Sequence, residues 1–145
     1  QEADAPLEQV SLDSRSQGLG EEVQRRIMLG PFALSAGYAE AYYGRAQAAR
    51  RAISQDFRRA FERVDLVAGP TSPTTAWPLG EKLGAPIEMY LSDAFTIPAS
   101  LAGLPAISIP AGFDSGGLPW GLQLMAPVRA EAALLRAARL FEARS

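Results

Sequence analysis

Between Met89 and Gly112 the chain reads MYLSDAFTIPASLAGLPAISIPAG, and its single charged residue there is Asp93. An ionised carboxylate in such apolar surroundings is costly unless a partner is supplied. Three readings fit. Ser92 and Asp93 are capping types, and SDAFT suits a helix start. Asp93 could pair with an arginine of the same chain. It could also belong to a ligand site. Arg26 raises the complementary question. Its helical neighbours Val23, Ile27 and Met28 are apolar, which places Arg26 nearer the buried face than Arg25. A guanidinium held there takes a carboxylate through two parallel hydrogen bonds. One inward arginine and one inward aspartate would match the two charged ends of a free amino acid; a plain internal salt bridge is the structural alternative. A third group, Thr71, Ser72, Thr74 and Thr75, follows a short apolar run. It lies either where α/β proteins place ligands or in ordinary turn chemistry.

The absences are as informative. The chain has neither cysteine nor histidine. That removes disulfides, thiol nucleophiles, histidine-based triads and most transition-metal sites. Acid–base chemistry would fall to carboxylates, tyrosines or Lys82, the only lysine. A net charge of -2 argues against a broad nucleic-acid face. Arg50, Arg51, Arg58, Arg59 and Arg63 do cluster, but Glu62 is interleaved and a solvated helix face explains them. No apolar run is long enough to span a bilayer and no secretory signal is visible, so a cytoplasmic location is expected.

The elements that must position these groups follow from periodicity. At 145 residues, 48% of them apolar, one domain with a real core is expected. Residues 1–20 read as a lead-in loop with at most a short helical turn near Leu7. A helix starts at Glu21 and is bent or interrupted at Gly30-Pro31. Tyr38, Tyr42, Ala46, Ala49, Ile53, Phe57, Ala60 and Val64 form one stripe of a second helix. VDLVAGP reads as a buried strand. Two short helices are expected around DAFTIPASLAG, with Pro98 early in the second and Gly103 as its stop. Ile107 and Ile109, then Leu122 and Leu124, alternate as paired strands of a hairpin turning at 114–117. A last helix runs from about Ala130 to Ala143, burying Leu134, Leu135, Ala138 and Phe141.

Four blocks carry a family resemblance: GEEVQRRIMLGPFALSAGYAEAYYGRAQAARR, DLVAGPTSPTTAW, MYLSDAFTIPASLAGLPAISIPAGF and LPWGLQLMAP. In this order, over Gly20 to Arg144, the chain resembles the C-terminal part of the amidase signature family, in the branch of transamidating A subunits. The resemblance implies an α/β fold, a mixed sheet flanked by helices, with 21–145 as the C-terminal portion of a single domain. It implies a serine nucleophile, a second serine and a lysine base within and upstream of a Gly/Ser-rich segment. No such segment occurs here, and Lys82 in GEKLG does not match the catalytic-lysine context. No catalytic residue is therefore assigned to this chain, which alone is expected to be inactive. By position in the blocks, Arg26 resembles the arginine that holds the α-carboxylate of glutamine, and Asp93 the aspartate that holds its α-ammonium. The resemblance further implies ammonia delivery to partner subunits B and C. There ATP and Mg, bound by a partner and not by this chain, would serve the amidation of Glu-tRNA(Gln).

Overall fold

The computed structural model describes residues 6–35, 39–82 and 86–144. They fall into two compact units, Gln1–Ala48 and Ala49–Ser145. The first unit begins with a helix where a loop was expected, α1 at Leu7–Gln17. Its Ser-rich sequence has little amphipathic pattern, yet Gln9 Nε2 donates to Asp13 Oδ1 one turn on at 3.0 Å, and Arg15 lies in the last turn, where the helix dipole favours a cation. Gln24 then clamps the connection, donating through Nε2 to the carbonyls of Leu19 at 2.8 Å and Ser16 at 3.1 Å.

The next helix, α2, runs Glu21–Leu34 and is not interrupted at Pro31. Proline removes a helical donor, but the end is secured by Ser35, whose N–H and Oγ both donate to the Phe32 carbonyl. The expected apolar face is not buried. Val23, Ile27 and Met28 are all exposed, and α2 contributes no buried residue. A π-helical segment at Ala39–Gly44 packs against α2. It replaces the first turns of the long helix expected from Tyr38, a residue outside those described. The regular helix, α3, is Arg45–Phe61, so Val64 lies beyond its end. Phe57 and Phe61 stack with centroids 6.3 Å apart.

The second unit is built on a three-stranded sheet in the order β1-β3-β2, with β1 at Val67–Pro70, β2 at Ala106–Phe113 and β3 at Pro119–Met125. Both pairings are antiparallel. The expected hairpin forms, and its register sets Ile107 opposite Leu124 and Ile109 opposite Leu122. VAGP proves to be a half-exposed edge strand, not a buried one. Between the first and second strands lie α4 at Pro86–Leu91 and α5 at Ile97–Ala102. Pro98 sits in the first turn of α5, where its missing N–H costs nothing. Gly103 closes that helix at φ 71°, a conformation glycine adopts without strain. The last helix, α6 at Glu131–Glu142, lays Leu134 and Ala138 on the sheet face of Ile109 and Leu124 to form the core. Phe141 packs at its margin, whereas Leu135 points away and is exposed. The helices and strands thus have the α/β character expected, and α6 leaves the other face of the sheet for a different use.

Candidate functional site

Strand periodicity divides the sheet into two chemical faces. One carries the isoleucines and leucines that meet α6. The other carries Ser108, Gln123, Gly69 and Gly121, with Ser108 and Gly69 both opposite Gln123. Just past β1, Thr71 donates its N–H to the Gly121 carbonyl at 2.9 Å, extending this polar face by one residue. Its hydroxyl meets that of Ser108 at 2.6 Å. Gly121 makes this possible: a β-carbon there would stand 2.6 Å from Ser108 Oγ and 2.9 Å from Thr71 Oγ1. Two open cavities share these hydroxyls. One of about 430 Å³ is bounded by the 70–77 loop with Trp77 and Trp120. The other, about 310 Å³, is bounded by Thr96, Ser100 and Gln123. Thr71 and Ser108 bond each other, and among the described residues no carboxylate or lysine touches either. The pair is a neutral polar lining that can donate or accept, without a base to make either oxygen a nucleophile.

Of the hydroxyl group singled out in the sequence, Thr75 has turn chemistry. It donates to Asp114 Oδ2 at 2.7 Å, while Gly116 and Leu118 N–H groups take Asp114 Oδ1 at 2.8 and 2.9 Å. The Thr75 hydroxyl, and next the Leu118 N–H, hold the Asp114 carboxyl below its ordinary value of 3.8. Thr71 lies at the cavity instead. Lys82 has its ammonium 4.2 Å from the centroid of Trp77, a cation–π contact that accounts for it structurally.

Asp93 lies in the tight turn 92–96 between α4 and α5 and is exposed. Its backbone is engaged: the N–H donates to the Tyr90 carbonyl, and its own carbonyl accepts from Thr96 and Ile97. Its carboxylate makes no hydrogen bond or ion pair among the described residues. The N-cap position of α5 belongs to Thr96, and no side chain caps the helix, so the capping reading of Asp93 does not hold. Among the described arginines of its own unit none pairs with it. Arg26 belongs to the first unit, Asp93 to the second. Arg26 Nε donates to Glu22 Oε1 at 2.9 Å, one turn back on α2, and Arg25 reaches the other oxygen at 2.8 Å. Arg26 is exposed within its unit, on a helix without a buried face.

In the sequence Ser108 and Gln123 stand only as the polar beats of two alternating strands. That same alternation, with the hairpin register, puts them opposite each other and was the available signal. Gly121 carried no signal until its neighbours were known. Among the described residues no cluster of acidic groups is fit to hold a metal, and no helix is long and apolar enough to cross a membrane.

The chain is similar to known proteins in sequence and in fold. The family model described as Amidase matches residues 2–135. The A subunit of the glutamyl-tRNA(Gln) amidotransferase of Synechococcus sp. (strain RCC307) is 58% identical over 136 residues, 94% of this chain and 28% of that protein. The crystal structure of the glutamyl-tRNA(Gln) amidotransferase A subunit from Thermotoga maritima superposes with a TM-score of 0.67 at 47% identity, over 91% of this chain and 29% of the other. An allophanate hydrolase of Kluyveromyces lactis shares the fold at a TM-score of 0.68 and 26% identity, over 90% of this chain and 21% of its own. The chain thus spans less than a third of the length of the relatives it matches. With the family model covering nearly all of it, this chain belongs to the amidase family.

Proposed function

We propose that the chain is the substrate-recognising part of a glutamine amidase subunit that supplies ammonia for converting Glu-tRNA(Gln) to Gln-tRNA(Gln). The observation that carries this reading is the 58% identity, along almost the whole chain, to the A subunit of a glutamyl-tRNA(Gln) amidotransferase. In this reading Arg26 takes the α-carboxylate of glutamine as a bidentate partner and Asp93 takes its α-ammonium. Asp93 suits the role because its carboxylate has no partner among the described residues. Arg26 would exchange its exposed contact with Glu22, a weak interaction in water, for the substrate.

The chemistry comes from the family's Gly/Ser-rich segment, which this sequence does not contain. A serine there attacks the side-chain amide, ammonia leaves, and water releases glutamate from the acyl-enzyme. The two charges of this chain select a free amino acid, since a plain carboxamide leaves both unpaired. ATP and Mg belong to a partner subunit that activates the glutamyl group on tRNA.

Steady-state kinetics of the complete subunit tests this. Arg26→Ala and Asp93→Ala should each lower kcat/KM for glutamine roughly a hundredfold while changing turnover of a neutral primary amide only a few-fold. The 145-residue chain alone should release no ammonia from either. Equal losses on both substrates would make the two residues structural. Unchanged glutamine kinetics would favour a hydrolase of another small amide, and the absence of any turnover a scaffold role.

A further inference from the structure

Gln123 stands at the centre of the polar sheet face, in the middle strand of the three. Among the described residues it is the one buried polar side chain, 4% exposed. Its amide Nε2 donates at 2.9 Å to the carbonyl of Phe95. Phe95 lies in the 92–96 turn, two residues after Asp93. Among the described residues the other hydrogen bonds that this turn donates are local: Ser92 to Met89, Asp93 to Tyr90, Ala94 to Leu91, Thr96 and Ile97 to Asp93. They shape the turn but do not anchor it. Among the described residues, the bond from Gln123 is the one that joins the turn to the sheet.

The sequence leaves this carbonyl open to such a bond. Pro98, three residues after Phe95, has no N–H with which to close a turn onto the Phe95 carbonyl. A carbonyl bonded by a fixed donor is held in one place, whereas one served by water is not. Gln123 supplies the donor from a strand whose own position is fixed by pairing on both sides. A rigid sheet therefore sets where the backbone beside Asp93 sits.

We propose that Gln123 is a positioning residue: through the Phe95 carbonyl it holds the Asp93 turn where the carboxylate meets the α-ammonium of the amino-acid substrate. The proposal rests on the glutamine reading above. It makes a buried amide far along the chain a determinant of substrate affinity without its touching substrate. The alternative is a purely structural role, as a satisfied polar group in the second unit.

The test uses the complete subunit, with glutamine and the neutral amide butyramide as substrates. Gln123→Met keeps the length of the side chain and removes the donor. It should raise KM for glutamine about tenfold, the scale of one lost hydrogen bond. It should leave kcat for glutamine and kcat/KM for butyramide within about twofold. In an Asp93→Ala background the same change should add less than about twofold, because it acts through Asp93. Equal losses on both substrates, or full additivity with Asp93→Ala, would overturn the positioning role. If Asp93→Ala raises KM for glutamine and Gln123→Met does not, only this inference fails. If Asp93→Ala leaves KM unchanged, the glutamine site itself fails and the positioning role with it. Gln123→Leu serves as a second variant, with circular dichroism as the check on folding. If neither variant folds, the residue is structural and the proposal is overturned.

Discussion

At Gly121 the polar face of the sheet leaves no room for a side chain, because the hydroxyls of Thr71 and Ser108 converge there. Gly121→Ala should push both oxygens aside, break their mutual hydrogen bond and destabilise the fold by about 1–3 kcal/mol, read as a lower Tm. Adding Ser108→Ala removes the nearer clash, so the double variant should be more stable than the sum of the two single changes predicts. Additive losses would show that the glycine matters for another reason. At this scale the sequence was partly readable. The isolation of Asp93 among apolar residues suggested a carboxylate in need of a partner, but it is exposed, where water can serve it. The apolar stripe beside Arg26 is exposed instead of buried. Whether a stripe is covered depends on what packs against it, and spacing carries no such information. Ser108 and Gln123 became visible only once two strands were brought into register.

Among the elements, the hairpin, α5 and α6 were legible for identifiable reasons. Their boundaries are written in residues with a single physical role: glycines at the 114–117 turn, Pro98 at a helix start, Gly103 at positive φ. The elements misjudged were those held by side-chain contacts that periodicity does not encode. The Gln9–Asp13 bond and the Gln24 clamp stabilise α1 and its exit, and Ser35 rescues the end of α2 beyond Pro31. The hairpin turn makes a prediction of its own. Asp114 has a lowered pKa because the Thr75 hydroxyl and the Leu118 N–H stabilise its charged form. A depressed folded-state pKa means the ionised form is held more tightly in the folded chain than in the unfolded one. The stabilisation is therefore fully present above the ordinary aspartate value and is lost as pH falls through the lower, folded value. Thermal unfolding across pH should show wild type exceeding Asp114→Asn by a constant margin near neutrality, and the margin should shrink below about pH 4. A margin that grows in acid would contradict the assignment of the carboxylate as the acceptor.

For the molecule as a whole, the two units are distinct in character. The first exposes the apolar residues of α2, including Met28 and Phe32, while the second holds the buried core of Ile109, Leu124, Ala126, Leu134 and Ala138. In the proposed recognition of glutamine, Arg26 and Asp93 take opposite ends of the amino acid. That claim is tested most directly by asking each residue about the substrate group it is said to hold. Binding of glutamine to the complete subunit would be compared with two analogues, glutaramate, which lacks the α-ammonium, and γ-aminobutyramide, which lacks the α-carboxylate. Asp93→Ala should abolish the preference for glutamine over glutaramate and keep that over γ-aminobutyramide; Arg26→Ala should do the reverse. If each variant retains the wild-type preference on both comparisons, these two side chains do not grip the poles of the substrate.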